Sequence, residues 1–127
     1  MKILDLQPGR SLIQLPFGSH LKNSSGGMHG GAIASLIDSA GGLAARTLTH
    51  PAPVVTVEFK VNFLAPIRQG AVLADGQVIH KGRRIVVSEV VVRDEENHPV
   101  ARGLVTLMVL APDRRARPKR NAQGGEA

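Results

Sequence analysis

Only one stretch of this 127-residue chain has the period of a long helix. Ile33, Leu36, Ile37, Ala40, Leu43, Ala44 and Leu48 recur three and four residues apart, which predicts a helix over about residues 30–48 with one broad apolar stripe. That stripe must be buried against something, and the rest of the chain reads as strands. His50-Pro51-Ala52-Pro53 bars continuation of the helix. Val55, Val57, Phe59, Val61 and Phe63 then alternate with Thr56, Glu58, Lys60 and Asn62, as in a strand with one apolar and one polar face. Residues 65–70 read as a turn and residues 71–80 as a strand. Gly82 supplies a hairpin turn into a Val- and Ile-rich strand over 84–93, and Asp94-Glu95-Glu96-Asn97 leads into a last strand over 100–110. Before the helix, residues 10–21 read as a first strand interrupted by Pro16. Strand, helix, then four strands on short turns predicts an α+β domain in which one helix lies against an antiparallel sheet. Gly41 and Gly42 cost about 1 kcal/mol each against Ala inside a helix, so both point to close packing.

At 43% apolar, residues 1–111 are expected to form one domain with a core of its own, followed by a tail over 112–127. The tail carries five bases and two acids and has almost nothing to bury, so it is expected to be disordered. Half of the formal charge of +6 therefore sits in this short tail, and the body, with eleven bases against eight acids, is only mildly basic. Such a tail could meet nucleic acid electrostatically. With no Trp or Tyr and three Phe, however, the chain has little to stack on bases, and no nucleic-acid partner is expected. Zero cysteines exclude disulfides and thiolate metal sites, and the five His show no His-x-x-x-His spacing, so neither metal nor cofactor is expected. Asp5 sits where a signal peptide needs an apolar core, and no apolar run is long enough for a membrane span. A cytoplasmic protein without a membrane partner is the expectation.

The chemistry-bearing stretch is Asn23-Ser24-Ser25-Gly26-Gly27-Met28-His29-Gly30-Gly31, running directly into the helix. Backbone N–H groups at a helix start have no partner within the helix, and the helix dipole favours negative charge there, so this is a natural oxyanion site. Asp38 has only Ala34, Ser35, Gly41 and Gly42 as helix-face neighbours, none of them a base. Taken alone it is a carboxylate that turns to water or meets a distant base, or else a catalytic base or nucleophile. Asn23 and His29 taken alone are turn or capping residues. Their company within sixteen residues favours the chemical reading.

The spaced set Asn23-x-x-Gly26-x-x-His29-Gly30-Gly31 followed by Asp38, with Lys81-Gly82-Arg83 and Asp94 through Thr106 further on, resembles the hotdog-fold acyl-CoA thioesterases of the phenylacetate-pathway (PaaI-like) type. The resemblance runs from about residue 10 to 110. It implies a hotdog fold, an antiparallel sheet of about five to six strands wrapped around one central helix. It also implies hydrolysis of an aromatic or medium-chain acyl-CoA thioester. On that pattern the Gly30 N–H polarises the thioester carbonyl, Asp38 acts as base or nucleophile, and Asn23 and His29 orient the carbonyl end. Thr56 holds the water, the more so because Gly42 stands where some relatives carry a hydroxyl. A non-catalytic acyl-CoA-binding protein and a hotdog dehydratase acting on acyl thioesters are the alternatives on the same fold.

Two further readings come from the residues. Lys81, Arg83 and Arg84 cluster on one hairpin and could meet the phosphates of coenzyme A, with Arg68 as another candidate. Gly30 and Asp38 are eight residues apart, so on one helix they are separated by about 12 Å along the axis and cannot serve the same carbonyl group. If both act, each site is shared between two chains, which requires a homo-oligomer, a dimer or a dimer of dimers.

Overall fold

In the computed structural model, which describes residues 1–16, 18, 21 and 27–111, the elements run β1 (Lys2–Gln7), β2 (Arg10–Leu15), α1 (Gly30–Thr49), β3 (Val54–Phe63), β4 (Val72–Lys81), β5 (Ile85–Arg93) and β6 (Pro99–Val109). Asn23 and the tail over 112–127 lie outside the described residues. The strands form one antiparallel sheet in the order β1-β2-β4-β5-β6-β3. This order follows from the helix. The chain leaves β2, crosses the sheet face as α1 and returns as β3 at the far edge, and the β4–β5–β6 meander fills the space between.

The stripe read from the sequence is the buried face of α1: Ile33, Leu36, Ile37, Ala40 and Ala44 pack in one core with Ile13, Val86, Val90, Val105 and Leu107 of the sheet. The contact is unusually close at mid-helix. A Cβ on Gly41 would lie 2.7 Å from Val105 Cγ2, and one on Gly76 would lie 2.6 Å from the Ala40 carbonyl oxygen. Two buried serines face the helix there. Ser11 Oγ donates to the Ala40 carbonyl at 2.7 Å and Ser88 Oγ to the Gly41 carbonyl at 2.9 Å. A buried hydroxyl must find a partner, and these find theirs in the helix backbone. Gly42 differs from Gly41, since its Cβ would stand 3.7 Å from Leu107 Cδ2, an ordinary contact. Close packing accounts for the first glycine of the pair only.

The sheet departs from the sequence reading in two places. Residues 2–7 form a strand of their own, joined to β2 by a Pro8-Gly9 turn with Gly9 at φ 78°, and β2 ends at Leu15, before Pro16. Pro16 has no N–H to give to a ladder, which fits the stop. The second departure is in β3. Alternation would put Thr56 on the same face as Glu58, yet a bulge between them shifts the register. Thr56 lies opposite buried Leu107, whereas Glu58 lies opposite Thr106, and its Oε1 accepts from Thr106 Oγ1 at 2.7 Å. Thr56 therefore joins Phe59, Val61 and Phe63 on the helix side, and Val55 goes to the outer face with Met108.

Candidate active site

The N-terminus of α1 is built by His29. It is the N-cap, with φ −62° and ψ 134°, and its Nδ1 accepts from the Gly31 N–H at 2.9 Å. Its carbonyl accepts from Ala32 at 3.0 Å and Ile33 at 3.4 Å, while its own N–H donates to the Leu21 carbonyl. Met28 N–H is held by the Ile67 carbonyl at 2.7 Å. Of the four N–H groups in the first turn, those of Gly31, Ala32 and Ile33 are thus committed. The Gly30 N–H has no partner among the described residues. Among the described residues, this helix start offers an anion one free donor rather than a cluster.

His29 is thus a cap as well as a candidate for orienting substrate. With Nδ1 accepting, the ring proton in this arrangement belongs on Nε2, which has no partner among the described residues.

Asp38 is half-buried on the side of α1 that faces β3. Its Oδ1 accepts from Thr56 Oγ1 at 2.6 Å, and Oδ2 has no hydrogen-bond partner among the described residues. No ion pair reaches it among them; the three formed are Arg10–Asp75, His98–Asp94 and Arg102–Glu89. The missing base at helix spacing is therefore not replaced by a distant one. A single hydroxyl supports the charge on one oxygen and leaves the other open to a proton or an electrophile.

The register of β3 sorts the candidates into two ends. Phe63, opposite Ala101, lies at the Gly30 end, where a Cβ on Gly30 would sit 3.4 Å from Phe63 Cζ. Thr56 lies at the other end with Pro53, Val109 and Leu110. Lys81, Arg83 and Arg84 belong to that second end: they are exposed on the β4–β5 hairpin, and the Arg84 carbonyl accepts from Val109 N–H at 2.7 Å. Arg68 belongs to the first end, beside Gln69, Asp94, Glu95 and Glu96. Within one chain the structure therefore brings Asp38 and Thr56 into contact, with the basic hairpin at the same end of the sheet, whereas His29, Gly30 and Arg68 lie towards the other end. Sequence reasoning missed the apolar cleft of about 370 Å³ that opens at Gly30. Its signal was Phe63-Leu64-Ala65-Pro66, an apolar run that continues past the end of β3. Among the described residues no group of His, Asp and Glu is placed to hold a metal ion.

The family model described as the thioesterase superfamily matches residues 25–101. A provisionally named esterase of Saccharolobus solfataricus is 34% identical over 87% of this chain and 79% of its own length. A protein of Listeria monocytogenes named 1,4-dihydroxy-2-naphthoyl-CoA hydrolase is 28% identical, covering 75% of this chain and 78% of its own. Among solved structures, a Streptococcus mutans protein bound to acetyl CoA superimposes with a TM-score of 0.82 at 26% identity, over 87% of this chain and 88% of the other. Helix α1 crossing a six-stranded antiparallel sheet is thus the hotdog fold of these proteins, and the chain belongs to the thioesterase superfamily as a thioester hydrolase.

Proposed function

We propose that this protein is a PaaI-like enzyme that hydrolyses the thioester of an aromatic or medium-chain acyl-CoA, at sites each shared by two chains. The observation that carries the reading is the division of labour along α1. A free backbone donor stands at Gly30 and a hydroxyl-supported carboxylate at Asp38, eight residues on, so about 12 Å separates them along the axis. The β3 edge beside them is apolar and open, with Val57, Phe59 and Phe63 more than 40% exposed. An edge of that kind is ordinarily covered. Antiparallel pairing of two β3 edges across a two-fold axis would set the Gly30 end of one chain against the Asp38 end of the other, and repeat the site. The named substrate of the Listeria relative and the acetyl CoA in the Streptococcus structure support a coenzyme A thioester as the substrate class.

In this reading the thioester oxygen accepts from the Gly30 N–H, and that hydrogen bond shortens as charge develops on the oxygen. Asp38 of the other chain acts through Oδ2, the oxygen that Thr56 leaves open. As a base it takes a proton from water while the water oxygen attacks the carbonyl carbon. As a nucleophile it attacks the carbon itself, and water then cleaves the anhydride. Either way the C–S bond breaks and coenzyme A leaves as the thiol. Thr56 has given its only proton to Asp38, so it can position water solely by accepting from it. Lys81, Arg83 and Arg84 lie on the Asp38 side and would meet the coenzyme phosphates. No helix among the described residues is long and apolar enough to cross a membrane, and the proposed setting is the cytoplasm.

Thiol release from a panel of acyl-CoA esters tests the reading. Turnover with free acid as the other product is expected. Binding without thiol release would indicate a carrier of acyl-CoA, and a changed acyl chain on an intact thioester would indicate a dehydratase.

A further inference from the structure

β3 is the last strand of the sheet, and among the described residues β6 is its only neighbour, so its other edge is unpaired. Along that edge runs Val57-Glu58-Phe59-Lys60-Val61, which reads alike in both directions except that an acid on one side of Phe59 answers a base on the other. Glu58 and Lys60 lie on the outer face, opposite Thr106 and Leu104, and both are exposed. Thr106 Oγ1 donates to Glu58 Oε1 at 2.7 Å, and Oε2 has no partner among the described residues. Neither charge joins an ion pair among them. Glu89, which shares a groove with Lys60, is taken by Arg102 at 3.4 Å.

Resting on the shared-site reading, we infer that two copies of the chain pair along β3 with the two-fold axis on Phe59, so that Glu58 of each faces Lys60 of the other and this pair of charges sets the register. With both helices on one side of the joined sheet, the axis must pass through a residue, because side chains alternate with a period of two. Measured against β6, Thr56 and Phe63 are six places apart with Lys60 midway, so an axis near Lys60 sets the Asp38 end of one chain against the Gly30 end of the other. On Lys60 itself the axis would place two like charges face to face, which is unfavourable. On Val61 it would set Lys60 against Asn62 and leave Glu58 past the pairing. On Phe59 it forms two oppositely charged pairs and brings the two Phe59 side chains together on the helix side. The two ends are then offset by two residues, roughly 7 Å. That leaves room for a carbonyl on the Gly30 N–H and a water about 3–3.5 Å from its carbon.

The chain has no cysteine, so single cysteines introduced on this edge report its geometry cleanly. Opposed residues of antiparallel strands have Cα atoms about 4.5–5.5 Å apart, within reach of a disulfide, whereas diagonal neighbours at about 7–8 Å are not. On oxidation of the full chain, Glu58→Cys mixed with Lys60→Cys should cross-link, and each alone should stay largely reduced. Lys60→Cys that cross-links to itself would move the axis and overturn the register, with the shared site intact. The charges give a second reading. Glu58→Lys or Lys60→Glu alone should weaken the dimer by about tenfold or more at low salt. Mixed, the two variants should form a heterodimer near wild-type strength, because opposite charges then meet at both places. Single variants that dimerise as well as the wild type, or a mixture that stays unpaired, would overturn the assignment. Cross-linking as expected upholds the register even if Gly30→Pro mixed with Asp38→Ala regains no activity, a result that rejects the shared site alone. A monomeric wild type would reject both.

Discussion

Thr56 Oγ1 donates to Asp38 Oδ1 at 2.6 Å from a strand position that simple alternation assigns to the opposite face of the sheet. The bulge after Thr56 brings the hydroxyl inward, and its consequence can be measured. Thr56→Val keeps the shape and loses the donor, and it should lower kcat by about tenfold, equivalent to one hydrogen bond to a charged group of roughly 1.5 kcal/mol. Thr56→Ser should retain most of the activity. Equal activity in all three proteins would mean that Thr56 has no part in the chemistry.

Asp38→Asn should remove hydrolysis by 10²-fold or more, by about the scale of a lost base, while acyl-CoA binding and the melting temperature stay near wild type. Among the described residues Oδ2 has no hydrogen-bond partner and no ion pair reaches the carboxylate, and this motivates the expectation. Turnover within about tenfold of the wild type would take Asp38 out of the reaction.

Mixing two inactive proteins tests the shared site. Gly30→Pro removes the free N–H at the first position of α1, where proline is well tolerated, and Asp38→Ala removes the carboxylate. In a mixed dimer one site has both groups intact and the other has neither. Random mixing makes about half the dimers mixed, so roughly a quarter of wild-type activity should return. Folded mixed dimers without recovered activity would show that each chain works alone or not at all.

The two adjacent helix glycines should respond oppositely to the same substitution. Gly41→Ala would drive its Cβ to 2.7 Å from Val105 Cγ2, and should cost about 1–3 kcal/mol in urea unfolding. Gly42→Ala makes only an ordinary contact with Leu107, and should be neutral or stabilising by up to about 1 kcal/mol. Similar values for both would contradict the close approach at Gly41.

Replacing Lys81, Arg83 and Arg84 together by Ala should raise KM for acyl-CoA more than for a short thioester without the nucleotide. The difference should shrink as salt rises, since the three are exposed and the screening length is about 8 Å at physiological ionic strength. Equal losses for both substrates would point to damage elsewhere.

Much of this was legible in the residues because periodicity reports burial directly. The stripe from Ile33 to Ala44 is the buried face of α1, and the hairpin at Gly82 falls where its glycine puts it. Residues 2–7 were not read as a strand because Ile3, Leu4 and Leu6 follow no period-two pattern; the bulge at Ile3/Asp5 breaks it. The Thr56 bulge left no local trace, since the sequence around it alternates cleanly and the register is set by pairing with β6. Gly30, Asp38 and Thr56 could be proposed from spacing and resemblance. That Gly31, Ala32 and Ile33 are already satisfied by His29, leaving one donor, required coordinates.

Ser11 and Ser88 tie the Ala40 and Gly41 carbonyls to neighbouring parts of the sheet, just past Asp38. The helix cannot slide along its axis or roll without breaking two buried bonds, so the sheet acts as a ruler whose zero mark lies at mid-helix. Distances to the acid are read from a point about one turn away, whereas the far end of the ruler, at Gly30 and Phe63, meets a loop. Residues of that loop can change the shape of the cleft without altering where the carboxylate stands. A scaffold indexed in this way can be relined at one end while the position of Asp38 stays fixed at the other.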